Sequence, residues 1–275
     1  KEITYAPKEK FKGGEYHWDI GTAGSTTMLA QALLPLACFA EKPSKFRLEG
    51  GLFQDFAPSA YHMQFVLLPL LEQMGIQAKL EIVRPGYVPR GAGIIEIEVA
   101  PVKKLKPLNL TQQGEILSIK GIALSSRLKE KKVSQRMAKE CGKILSSYGY
   151  KAEIQEIYDE SSLQEGAALA IYAETSSGSR IGSDRAGRPH RSSESIGRYV
   201  AQNFIEDVKT GATVDRYIAD QLIIYAGLAE GTTRYLISRI TEHIKTNLWL
   251  IEEFLGAKTK ISGNIIEIEG VGFKG

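Results

Sequence analysis

The pentapeptide Ile-Ile-Glu-Ile-Glu is written twice in this chain, at residues 94–98 and again at 265–269. In an extended segment its second and fourth residues, both isoleucine, fall on the side opposite the two glutamates, the pattern of a strand with one covered face. Each copy ends a longer phrase of helix, glycine, strand, turn and strand. The first phrase is FVLLPLLEQMGIQAKLEIV (65–83) followed by GIIEIEVAP (93–101). The last is NLWLIEEFLGAKTKIS (247–262) followed by NIIEIEG (264–270). Between them, SQRMAKECGKILSSYGYKAEIQEIY (134–158) and AALAIYAE (167–174) repeat the order. Gly75, Gly149 and Gly256 stand where a helix C-cap is expected. Three phrases in one order predict an α+β architecture of repeated units, with helices covering one face of each sheet.

The segment from Gly114 to about Gly211 also carries its own strand–helix–strand–strand–helix pattern, bounded by KPLNLTQQG (106–114) and KTGATVD (209–215). This predicts a large discontinuous domain, 1–113 and 212–275, interrupted by an inserted α/β subdomain at 114–211. KEITYAP (1–7) and EYHWDIG (15–21) read as two strands with no helix before them. The first unit is therefore expected to start midway, with a segment upstream of Lys1. STTMLAQALLPLACFA (25–40) reads as a helix capped by Ser25 or Thr26.

With 275 residues, 43% of them hydrophobic, the chain can bury a large core. A net charge of +3 admits a polyanionic partner without the strongly basic balance of a protein held to nucleic acid by charge alone. Cys38 and Cys141 lie far apart and read as buried or free thiols of a reducing compartment. The longest apolar run, 28–40, contains Gln31 and Pro35 and is too short to span a bilayer. Lys1 begins no signal-peptide pattern, so a soluble, cytoplasmic protein with no membrane partner is expected.

Several stretches are candidates for chemistry. RITEHIKTNLWLIEEFL (239–255) has Ile244, Leu248, Ile251 and Leu255 on one helical face, with Thr241 as the predicted N-cap. His243 then falls in the first turn, on a polar face shared with Asn247. The positive end of a helix suits an anion such as a phosphoryl group. VDRYIADQLIIYAGLAEG (214–231) reads as one helix placing Tyr217, Asp220 and Gln221 on a face beside Ile218, Leu222 and Tyr225. That face is either a grip for a nucleoside or a surface of local polar pairs. In DIGTAGSTTMLAQ (19–31), Gly21 and Gly24 precede a helix start, which reads as an anion site or as an ordinary capped turn. No Gly-Lys-Ser/Thr follows, so it is not a P-loop. Gln31 interrupts an apolar face and needs partners, either backbone or ligand. GYVPRGAG (86–93) reads as a tight turn with Arg90 at its tip, and SDRAGRPHRSSESIG (183–197) as a basic loop ahead of a helix. His17, His62 and His190 have no partner at ligand spacing, so no zinc site is expected.

Taken together, GGEYHWDIGTAGSTTMLAQALLPLACFA (13–40), GYVPRGAG, VDRYIADQL and EHIKTNLWLIEEFL resemble the RNA 3′-terminal phosphate cyclase family over essentially the entire chain. The resemblance implies repeated βαβαββ units with a smaller inserted domain. It also implies a ligase that uses ATP, with a divalent metal (Mg or Mn), to convert an RNA 3′-phosphate end to a 2′,3′-cyclic phosphate. By the same resemblance His243 is the nucleophile that takes AMP from ATP. Tyr217, Ile218, Ala219, Asp220 and Gln221 line the adenylate pocket, and Gln31 and Pro58 are further nucleotide contacts. The chain departs from the family pattern at Leu52 and Tyr61, where Thr and Asp are usual, and at Ala92, where a glycine is usual. The family's Glu-Gly-Gly-Gly-Gln stretch and the arginines after it, expected to serve metal and RNA-end binding, are not in these residues. A non-catalytic, cyclase-like RNA-binding protein of ribosome biogenesis is the alternative. Retention of His243 with Asp220 and Gln221 favours the enzyme.

Overall fold

In the computed structural model, which describes Thr4, Ala6 and residues 10–275, the two Ile-Ile-Glu-Ile-Glu copies hold the same place in two four-stranded sheets. The chain opens with β1 (Gly14–Asp19), α1 (Thr26–Cys38) and β2 (Ser44–Gly50). A helical stretch follows, α2 (Ala60–His62) passing through a π turn at Met63–Leu67 into α3 (Leu68–Gln73). The π turn comes just before Pro69, whose missing N–H breaks the regular helical ladder. Then come β3 (Gln77–Arg84) and β4 (Gly93–Ala100), completing a βαβαββ unit whose strands lie in the order β1-β2-β4-β3. β1 is parallel to β2, and both other pairings are antiparallel.

The second unit starts at β5 (Asn109–Leu110). An excursion intervenes: β6 (Ile116–Ser126), α4 (Val133–Ser147), β7 (Ala152–Asp159), β8 (Gly166–Thr175), β9 (Arg180–Ala186) and α5 (Ser193–Lys209). The unit resumes with α6 (Ile218–Gln221), α7 (Ile223–Leu228), β10 (Glu230–Leu236), α8 (Glu242–Leu255), β11 (Lys258–Ser262) and β12 (Ile265–Val271). Its sheet runs β5-β10-β12-β11, with the same parallel and antiparallel pattern as the first. β4 and β12 are thus equivalent inner strands. Ile95 and Ile97 of one, and Ile266 and Ile268 of the other, are fully buried in one shared core, while the glutamates face away. At the helix ends Gly75, Gly149 and Gly256 all take positive φ (97°, 83° and 75°), as the left-handed C-cap position requires.

The excursion builds its own core, centred on Ile119, Met137, Leu169 and Phe204, between α4 and α5 and a third sheet. That sheet corrects the sequence reading on two points. Its order is β7-β6-β8-β9, so the middle phrase is not a third copy of the unit. β7 and β8 do not pair with each other but flank β6, β7 in parallel across the α4 crossover. The hydrophobic pattern specifies a strand and its covered face but not its neighbour, and the parallel β6-α4-β7 connection decides that here. There is also one strand more than predicted, because Ser183–Ala186 of the supposed basic loop belong to β9. In the first unit, EYHWD forms β1, which opens a complete βαβαββ set rather than the middle of one. KEITYAP lies, apart from Thr4 and Ala6, outside the described residues.

Ala92, where a glycine was expected, takes φ 55°. A left-handed residue with a Cβ costs roughly 1–2 kcal/mol, part of which glycine gives back through the freedom of its unfolded chain. Ala92→Gly is therefore expected to stabilise the protein by about 0.5–1 kcal/mol, a rise of about 1–4 °C in the unfolding midpoint. A thermal melt that is unchanged or lowered would refute this account of the turn.

Candidate active site

Three helices of different sequence origin deliver the site. On α8, Thr241 Oγ1 accepts from Ile244 N (3.2 Å) and starts the helix. Ile244, Leu248 and Ile251 are buried against the core, which turns His243 and Asn247 outward. Asp220 closes α6, and its Oδ2 lies 3.2 Å from His243 Nδ1. Asn247 Nδ2, one turn along α8, donates to the Asp220 carbonyl (3.3 Å). Asn247 therefore positions Asp220 rather than the imidazole. From α1, Gln31 Nε2 donates to Gln221 Oε1 (2.9 Å). Gln31, Asp220, Gln221, His243 and Asn247 line one cleft of about 420 Å³, within the range of small-molecule sites, with Met28, Leu67 and Ile224 among its apolar walls.

His243 is 83% exposed and Asp220 only 18%. Burial pushes the Asp220 carboxyl up, and the neighbouring His243 pulls it back. An ionised carboxylate only accepts hydrogen bonds, so an ionised Asp220 favours the tautomer with the proton on Nδ1, which presents Nε2 outward. A ring held by one nitrogen, with the other free at a helix N-terminus beside an open cleft, is suited to attack a phosphorus.

The remaining predicted residues do not line this cleft. Ile218 and Ala219 are buried, and Ala219 O accepts from Tyr235 Oη (2.8 Å). Tyr217 is the N-cap residue of the short α6 that carries Asp220 and Gln221, but its side chain is turned toward other neighbours and is not part of the cleft lining. The Tyr217 ring stands edge-on to His62 (centroids 6.2 Å apart), and its hydroxyl lies 3.4 Å from that of Tyr199. Pro58 O accepts from Thr27 Oγ1 (2.7 Å), and the next residue, Ser59, donates its N–H to Asp184 Oδ2 (3.0 Å). Asp184 in turn adds to the upward push that burial and Tyr199 exert on the Tyr217 phenol. Thr27 and Gln31 are four residues apart on α1, so the Pro58 contact and the Gln221 contact lie about 6 Å apart on one helix face.

Two other candidates turn out to be structural. In the glycine turn, Asp19 Oδ1 accepts from Gly21 N (2.7 Å) and Thr22 Oγ1 from Gly24 N (3.2 Å), so the turn consumes these amides itself. Arg90 docks on the inserted segment, donating from its backbone to Gln164 Oε1 (3.1 Å) and from its guanidinium to Leu163 O (3.3 Å).

A buried pair beneath α6 escaped the sequence reading. Asp215 Oδ1 accepts from the backbone N–H groups of Tyr217 (2.9 Å) and Ile218 (3.0 Å), capping the segment that carries Asp220. Its Oδ2 lies 3.0 Å from His62 Nε2 and accepts from Gly182 N (2.9 Å). Burial alone lowers the His62 pKa, but the charge and hydrogen bond of Asp215, with Asp184 beyond, outweigh it and raise the pKa to about 8. The spacing of Asp215 from Tyr217 was the available signal, since an Asp just ahead of a helical turn is a capping pattern.

The family model described as RNA 3′-terminal phosphate cyclase matches residues 1–261. The chain belongs to that family. A relative of this name from Pyrobaculum aerophilum is 35% identical over 273 residues, covering 98% of this chain and 78% of its own length. One from Methanopyrus kandleri is 34% identical over 267 residues (95% and 75%). One from Pyrococcus furiosus is 34% identical over 275 residues (100% and 77%). Among the described residues no helix is long and apolar enough to cross a membrane.

Proposed function

We propose that the protein converts an RNA 3′-phosphate end to a 2′,3′-cyclic phosphate at the expense of ATP, by nucleotidyl transfer through His243. The observation that carries this reading is the His243–Asp220 pair at the mouth of the cleft. Asp220 holds the ring by Nδ1, and Nε2 attacks the α-phosphorus of ATP, breaking the bond to the β-phosphate oxygen and releasing pyrophosphate. An oxygen of the RNA 3′-phosphate then displaces the imidazole, giving an RNA–adenylate anhydride and returning the ring. The neighbouring 2′-oxygen attacks the activated phosphorus, AMP leaves, and the hydroxyl proton passes to solvent. That closure is fast for a physical reason: nucleophile and electrophile share one ribose.

Gln31 and Gln221 offer amide groups to the nucleotide, Pro58, bound to Thr27 one turn from Gln31 on α1, extends the same side, and Tyr217 is proposed as a further contact. A divalent cation, Mg²⁺ or Mn²⁺, is proposed to arrive on the triphosphate, the usual way Mg²⁺ is held. Asp220 is the carboxylate lining the cleft, and among the described residues no group of three or more His, Cys, Asp or Glu is placed to hold an ion by itself. We place the inserted subdomain at 114–211 and the active site on the discontinuous remainder, 1–113 and 212–275.

The test is an RNA with a 3′-phosphate incubated with the protein, ATP and Mg²⁺ or Mn²⁺. The terminal phosphate should become resistant to phosphatase only when ATP is present. Binding of RNA without any conversion would favour the non-catalytic relative instead. Asp220→Asn, which keeps the shape but offers Nδ1 a weaker acceptor, is expected to slow conversion by about a hundredfold with little change in the melting midpoint. Wild-type turnover in that variant would remove Asp220 from the mechanism.

A further inference from the structure

Two features have no part in the nucleotide cleft: a second cleft and an aromatic ring with no support. The second cleft, about 580 Å³, lies between the Tyr87–Pro89 turn and the starts of α4 and α5 in the inserted segment. Val88, Pro89 and Leu128 give it an apolar floor. Lys131, Arg136, Arg188 and Arg191 line it against a single carboxylate, Glu165. Arg191 is committed, with both its terminal nitrogens on Asp55 (2.9 and 2.8 Å). The other three side chains are 64%, 47% and 65% exposed, and their partners are Glu165, Glu194 and Asp55 at 3.4, 2.7 and 3.7 Å. The long, exposed contacts of Lys131 and Arg188 hold little net energy, so a phosphodiester can take the partner's place, whereas both oxygens of Glu194 hold Arg136 (2.7 and 2.9 Å).

The unsupported ring is Phe56, next to Asp55. It is fully exposed and its backbone sits at φ 68°, an outlier for a bulky residue. The loop around it is fixed nonetheless: Asp55 by Arg191, Pro58 by Thr27, and Ser59 by Asp184. The ring therefore stands in water on a loop tied down on both sides. Its loop has contacts toward each cleft. Asp55 pairs with Arg188 and Arg191 of the second cleft, and Thr27, bound to Pro58, adjoins Met28 of the first.

We infer that the second cleft and Phe56 form a track for the single-stranded RNA that trails behind its 3′-phosphate. Phosphodiesters lie on Lys131 and Arg188, one base stacks on Phe56, and the 3′ end enters the cleft of His243. A lone exposed ring favours a single strand, because bases in a duplex are already stacked on one another. This inference rests on the cyclase reading for the direction of the strand.

The test is direct binding without ATP, by fluorescence anisotropy of a short single-stranded RNA ending in a 3′-phosphate. 2-Aminopurine is placed at each of its last positions in turn. Phe56→Ala is expected to weaken binding about tenfold and to remove fluorescence quenching at one position, and Phe56→Trp to restore both. Lys131→Glu together with Arg188→Glu should lower the slope of log affinity against log salt by about 1.4, roughly 0.7 for each phosphate that is no longer neutralised. Absence of RNA binding by the wild type, unchanged binding in Phe56→Ala, or an unchanged salt slope would each overturn the track. Labelling of wild-type His243 by ATP is a separate measurement, so failure of the cyclase reading and failure of the track are distinguishable.

Discussion

His243→Ala is expected to abolish cyclisation of an RNA 3′-phosphate, a loss on the order of 10⁴-fold or more, while leaving the fold intact. The expectation of an intact fold comes from the packing. The imidazole is 83% exposed, so its removal opens no cavity. α8 is started by Thr241 and anchored by Ile244, Leu248 and Ile251, none of which needs the ring. The stability change should therefore stay within about 0.5 kcal/mol, the range of an ordinary surface substitution. The pairing of a dead enzyme with an unmoved melting curve is what assigns the residue to chemistry. A variant that keeps a tenth of the activity would point to another nucleophile.

The largest stability effect is expected beneath the site. The His62 and Asp215 side chains are 1% and 0% exposed, and a buried pair that loses one charge leaves the other uncompensated. Asp215→Asn should cost about 3–5 kcal/mol at neutral pH, read by urea unfolding. It should also loosen α6, because Asp215 caps the backbone at Tyr217 and Ile218. The pH dependence has a definite sign. His62 is raised from 6.5 to about 8 in the folded protein, so its contribution is full below pH 6.5 and is lost as pH rises through about 8. Its size is about 2 kcal/mol, at roughly 1.4 kcal/mol for each tenfold gain in proton affinity. Asp215 is lowered, despite its burial, by His62 and the backbone donors, so its own contribution disappears only on the acid side. Wild-type stability should fall between pH 6.5 and 8, and in Asp215→Asn that fall should vanish. A fall of equal size in the variant would show that some other group titrates.

The fold was legible where a pattern repeats and illegible where only pairing decides. Ile-Ile-Glu-Ile-Glu at 94–98 and 265–269 located two equivalent inner strands, because alternation of burial is written in the residues themselves. The phrase at 134–174 looks alike but belongs to a sheet in which β6 separates its two strands, and no single strand records its neighbour. The site divides in the same way. His243 was visible as a histidine in a capped first turn, and its helix follows from local spacing. Its contact with Asp220 spans 23 positions, Gln31 to Gln221 spans 190, and His62 to Asp215 spans 153. Such contacts are set by how the units fold onto each other. The stretch 214–231 is helical only from Ile218 to Leu228, with a junction at Leu222, because Asp215 caps the start and the chain is extended again from Ala229.

The central claim is that His243 carries AMP, and the direct measurement is incubation of the protein with ATP labelled at the α-phosphate, followed by peptide mapping. The predicted result is a single adenylylated peptide containing His243, with a bond broken by acid and stable to alkali, as a phosphoramidate behaves. Folded protein that takes up no label, or takes it up on a residue other than His243, would contradict the account.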